Sequence, residues 1–188
     1  MPTLKAVLRN CRTTAATAAS VVALVLTAIL APASPAHAVT SLTCVAGAET
    51  TRYTPGLLLL PVPRQTHVSA EGVVGTCVGL PLTHTNGTIT FSGEGPLSCT
   101  TGNASGTGKI DWTNTGVGTS TFDWTGAVGV RPAGDSALVL TGTIKSGDFK
   151  NATITITIEL VAHPYQSVKC LTTGLETNSG LVTTQILG

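Results

Sequence analysis

The sequence predicts an all-β fold: an antiparallel two-sheet sandwich, immunoglobulin-like or jelly-roll-like, or alternatively a β-barrel. Three observations predict it. Beyond an N-terminal apolar segment the chain is rich in Thr, Val, Gly and Ile and poor in Lys and Glu, and branched side chains fit a pleated surface. Outside that segment, apolar residues nowhere recur at the i, i+3, i+4, i+7 spacing of an amphipathic helix. Glycine and Asx residues break the chain about every ten residues, the spacing of a sandwich or barrel.

The elements follow in order. Lys5, Arg9 and Arg12 precede the apolar run Val21 to Leu30, and Ala36-His37-Ala38 supplies small residues where a signal peptidase reads. Residues 1–38 are therefore expected to be a cleaved secretory signal, leaving 39–188 as a single domain. Strands are expected at Ser41 to Ala46, and at Thr51 to Leu60 with a break at Pro55-Gly56 and a stop at Pro61-Val62-Pro63. Further strands are expected at His67 to Val78, at Thr88 to Ser92 after the Asn86-Gly87 turn, and at Pro96 to Thr100. Residues 109–124 read as a hairpin, followed by a short strand from Ala127 to Val130. Ala137 to Lys145 pairs with Ala152 to Val161 around Ser146-Gly147-Asp148-Phe149. In the second arm Ile154, Ile156 and Ile158 alternate with Thr153, Thr155 and Thr157, so the isoleucines face the core. No neighbouring segment repeats this pattern, so a threonine array is not expected. Gln166 to Leu171 and Leu181 to Leu187 are expected to close the sheets.

Charge and cysteine usage narrow the function classes. Removal of residues 1–38 takes away three of the ten Lys+Arg and none of the nine Asp+Glu, which leaves seven against nine, a net charge of −2. Such a surface has no basic stripe for nucleic acid and no polybasic cluster for an anionic membrane, so neither is an expected partner after signal removal. Cys11 leaves with the signal. Cys44, Cys77, Cys99 and Cys170 remain, an even number in an exported chain, and they read as two disulfides of undetermined pairing. No C-x-x-C or Cys/His cluster suggests a metal, and no cofactor is expected.

The candidate binding residues lie in two places. Ile110-Asp111-Trp112-Thr113 is nearly repeated as Phe122-Asp123-Trp124-Thr125. A short turn through Asn114 to Gly118 sets Ile110 opposite Trp124, Trp112 opposite Phe122 and Asp111 opposite Asp123. Trp112 and Trp124, among only seven aromatic residues, then anchor the core or, if turned outward, form a platform for a polysaccharide. Paired Asp111 and Asp123 carboxylates also suit a glycan hydrolase. The second place is Pro61 to Gln65, an extended loop in which Arg64 offers a side chain that a trypsin-like protease reads. His67, His84 and His163 are scattered, no G-x-S-x-G elbow exists, and catalytic residues are not assigned.

The Ala/Thr/Pro-rich leader, Leu42-Thr43-Cys44, Tyr53-Thr54-Pro55-Gly56-Leu57 and Gly108-Lys109-Ile110-Asp111-Trp112 resemble those of small secreted proteins of high-GC Gram-positive bacteria such as actinomycetes. The resemblance implies an extracellular β-sandwich and no particular substrate. The expectation is thus a secreted, non-catalytic binding or structural module that contacts the cell wall, a polysaccharide or another secreted protein. A secreted protease inhibitor is the second reading and a glycan hydrolase the third.

Overall fold

The structure, a computed structural model, describes residues 40–59, 63–114, 116–130, 136–161 and 164–188. The expected leader, Pro61, Val62 and His163 lie outside the described residues. Nine strands and one helix are present among the rest: β1 (Ser41–Leu57), β2 (Arg64–Val73), β3 (Thr76–Leu80), β4 (Gly87–Leu97), β5 (Asn103–Trp112), β6 (Thr119–Val130), β7 (Ser136–Gly147), β8 (Thr153–Leu160), α1 (Pro164–Leu171) and β9 (Leu175–Leu187).

Of the two expected architectures the chain forms the barrel. β1, β2 and β4 to β9 pair antiparallel in sequence order, and β9 returns to β1, so eight strands close on themselves. Closure depends on β1 being paired along both edges. β9 runs along one edge, and β2 and then β3 run along the other. β3 is the continuation of β2 past the barrel rim: Ala48 faces Val73 and Cys44 faces Cys77 in one register, while β4 begins where Val74 N–H donates to the Gly87 carbonyl. The two chain ends of the domain meet at this rim, where Thr40 and Gly188 exchange N–H···O bonds of 2.7 and 2.9 Å.

Period-two alternation fills the inside. Ile154, Ile156 and Ile158 are buried, as their spacing predicts, beside Leu138, Leu140 and Ile144 of β7 and Val182 and Ile186 of β9. An eight-stranded barrel is just wide enough for such side chains to fill. A second cluster of Tyr53, Leu57, Val68, Leu97, Cys170 and Leu175 closes the end under α1. The disulfides pair Cys44 with Cys77 and Cys99 with Cys170. The first joins β1 to β3, and the second ties α1 to the turn after β4.

Several sequence expectations are corrected. Gln166 to Leu171 is helical: Pro164 sits at the first helical position, where its missing N–H costs nothing, and Gly174 at φ +96° ends the segment with its N–H on the Lys169 carbonyl. Eight residues are too few to show a helical period. β1 is one strand from Ser41 to Leu57, but its pairing is interrupted at the expected Pro55-Gly56 break: the register with β9 shifts between Arg52 and Leu57, and the pairing with β2 stops at Thr54. Pro96 belongs to the end of β4 rather than to a new strand.

Candidate functional site

The hairpin of β5 and β6 has a longer loop than expected, and its register moves by four residues. Ile110 faces Ser120, Gly108 faces Phe122 and Gly106 faces Trp124. The reason is steric. Inside a narrow barrel a large ring needs a bare partner, and a Cβ on Gly108 would lie 2.4 Å from Phe122 Cζ. Trp112 and Trp124 are both buried, 7% and 2% exposed. The Trp112 indole N–H donates to Ser120 Oγ at 3.0 Å and that of Trp124 to the Thr107 carbonyl at 3.2 Å. Neither ring offers a face to a sugar. Asp111 and Asp123 are not opposite one another. Asp111 faces Thr119, about 13 Å along β6 from Asp123, which exceeds the reach of a paired-carboxylate hydrolase. Each is held in an ion pair, Asp111 with Lys109 at 2.8 Å and Asp123 with Lys145 at 3.3 Å. The Lys109 contact and the Thr119 hydroxyl hold the Asp111 carboxyl below the usual range. Arg64 begins β2 half-buried, and its guanidinium donates to the Gly56 carbonyl, so it is turned onto its own chain rather than presented to a protease.

The outer wall presents a different arrangement, built from two adjacent cross-strand rows. Arg52, Ser69, Ser92, Thr107, Asp123 and Thr143 form one, each in register with the next. Thr50, Glu71, Thr90, Lys109, Thr121 and Ser146 form the other. Every side chain in both rows is hydroxylic or charged. Alternation makes this so: the inward neighbours on the same strands are Ala70, Phe91, Gly108 and Phe122. Ten of the row residues, with Lys145, line a groove of about 600 Å3 across β1, β2, β4, β5, β6 and β7. Neighbours within a row sit about 4.8 Å apart, the strand spacing. The hydroxyls continue beyond the groove, where Thr125 faces Thr141, Thr141 faces Thr155, Thr143 faces Thr153 and Thr157 faces Thr183. Neither strand beside β8 repeats its threonine triplet: Thr157 faces Val139 on β7, and Thr155 and Thr153 face Gln185 and Leu187 on β9, so the match is partial.

Two polar clusters escaped sequence reasoning. At the rim, His84 is 5% exposed and stacks edgewise on Trp112 and against Phe149. Its Nε2 lies 3.1 Å from Asp148 Oδ2 and its Nδ1 3.1 Å from Thr83 Oγ1. Asp148 also accepts from Gly118 N–H at 2.7 Å, and these bonds hold its carboxyl below the usual range. The cluster pins the β3–β4, β5–β6 and β7–β8 loops together. Inside the wall, β1 places Glu49, Thr51 and Tyr53 on the buried side. The alternation of polar Glu49 and Thr51 with Ala48, Thr50 and Arg52 carries no apolar period, so nothing in the sequence assigns them an inward face.

No protein-family model matches this sequence, and no curated protein is similar to it.

Proposed function

We propose that the domain is a secreted, non-catalytic binding module that holds an extended, hydroxyl-rich ligand, a polysaccharide, in the outer groove. The observation that carries this reading is the pair of cross-strand rows. A linear glycan lying across the strands meets a hydroxyl or charged side chain at each strand, at a spacing close to one sugar. A site of this kind gains affinity by repetition: a single neutral hydrogen bond contributes about 0.5–1.5 kcal/mol net, and the rows offer many. Arg52 stands exposed at the β1 end of the groove and Lys145 at the β7 end, which suits a neutral or weakly anionic polymer. Two disulfides fit an extracellular setting, where thiols are oxidised. The rows on the outward face of β4 to β7 are hydroxylic or charged while the interior is aliphatic and aromatic, the reverse of a barrel that turns its apolar side to lipid.

Retention on soluble and insoluble polysaccharides, read by affinity electrophoresis and pull-down, tests the reading. Ser92→Ala with Thr107→Val should weaken retention by about fivefold or more at the loss of two hydrogen bonds. Thr157→Val, outside the groove, should leave it unchanged. Absence of binding to every polysaccharide, or equal loss from the groove and Thr157 variants, overturns the proposal.

A further inference from the structure

Glu49 lies within the barrel wall, 4% exposed. Its register partners are Gly72 on β2 and Gly180 on β9, so no side chain flanks it on either strand. Neither glycine leaves room for a side chain. A Cβ on Gly72 would fall 2.8 Å from the Glu49 Cβ, and one on Gly180 would fall 3.2 Å from Oε1 and 2.5 Å from an Ile158 methyl. The carboxyl has one donor, the Thr51 hydroxyl, at 2.5 Å from Oε2. Oε1 has no hydrogen-bond partner among the described residues. No cation faces it. The inward residues around it are Ala70 and Gly72 of β2, Asn178, Gly180 and Val182 of β9, and Ile158 of β8. The titratable group sharing its side of the wall is Tyr53, itself buried and pushed further from ionisation by Glu49. Arg52, Glu71 and Glu159 are exposed on the opposite face.

We propose that Glu49 is a protonation switch in the barrel wall: as the neutral acid it completes the seam of β1 with β2 and β9, and as the carboxylate it drives that seam open to water. A neutral carboxyl keeps the Thr51 hydrogen bond and carries no charge into the buried wall. A carboxylate there keeps one donor and leaves an ionised oxygen against Gly180 and Ile158, a burial that costs several kcal/mol without compensation. Burial accordingly pushes the Glu49 carboxyl up from 4.5 to about 7, against the opposing pull of the Thr51 hydrogen bond. The folded state therefore holds this proton more tightly than the unfolded chain. Its stabilisation is complete below the unfolded value and is lost as pH rises through the folded one. The barrel is thus tighter in mildly acidic surroundings than in neutral ones.

Isotope-edited infrared spectra of the intact protein read the group directly. The carbonyl band of a buried carboxylic acid should persist at pH 6, fade as pH rises through about 7, and be missing from Glu49→Gln. Urea unfolding supplies the linkage. The folding constant of the native sequence should fall by about 70-fold more than that of Glu49→Gln between pH 5 and pH 8. Should the Gln variant fail to fold, Thr51→Val serves instead: losing the single donor to the carboxylate moves the fading of the band to higher pH. A carboxylate spectrum for Glu49 at pH 6, parallel pH profiles of native and Gln proteins, or an unmoved band in Thr51→Val overturns the switch.

Discussion

At the scale of single residues, the interior is governed by which side chains are left out as much as by those put in. Gly108 is the clearest case, because its bare Cα lies under the Phe122 ring. Gly108→Ala should cost about 1–3 kcal/mol of stability by overpacking. Phe122→Leu in the same chain should recover part of that loss, since the two residues share one space. Urea midpoints of both single variants and the double variant check this, and strict additivity would show that the ring is not seated on Gly108. Scarcity of aromatic residues pointed Trp112 and Trp124 toward the core without deciding between core and platform, and their register was not legible. The number of turn residues alone does not fix where pairing ends, and the seating of the Trp124 ring over Gly93 of β4, where a Cβ would lie 2.6 Å from Cζ2, becomes apparent only when the barrel is closed. Glu49 was illegible for another reason: a charged residue amid threonines carries the pattern of a solvent-facing strand.

Elements divide into those defined by their own pattern and those defined by their neighbours. The β7–β8 hairpin belongs to the first kind. Its alternating isoleucines and its Ser146-Gly147-Asp148-Phe149 turn locate both arms before any tertiary contact is considered. α1 belongs to the second. Its exposed face carries Val168 and Leu171, and its inward contacts include Cys170, bonded to Cys99, and Gln166, whose amide donates to Asn178 of β9. That bridge spans 71 residues, and in chain-entropy terms it contributes about 4 kcal/mol. Cys99→Ser with Cys170→Ser should therefore lower the urea midpoint. Amide exchange should quicken first across Gln166 to Leu171, while β6 to β8 keep their protection. Equal protection of α1 with and without the bridge would mean that barrel contacts alone retain it.

For the molecule as a whole, all-β character was readable from composition and alternation, whereas the choice of barrel over sandwich was not. Both architectures demand the same inward-outward pattern on each strand. What separates them is whether the first and last strands find each other, and that depends on β1 being long enough, at seventeen residues, to serve β9 on one edge and β2 with β3 on the other. The same closure brings Thr40 beside Gly188, each bonded to the other. A ring with its opening zipped shut has no preferred starting point. Linking Gly188 to Thr40 through a few glycines and opening new ends within the Thr113–Gly118 loop should give a circular permutant with native circular dichroism and a melting temperature within a few degrees of the parent. A permutant that stays unfolded would show that chain order, and not strand adjacency alone, governs how this barrel assembles.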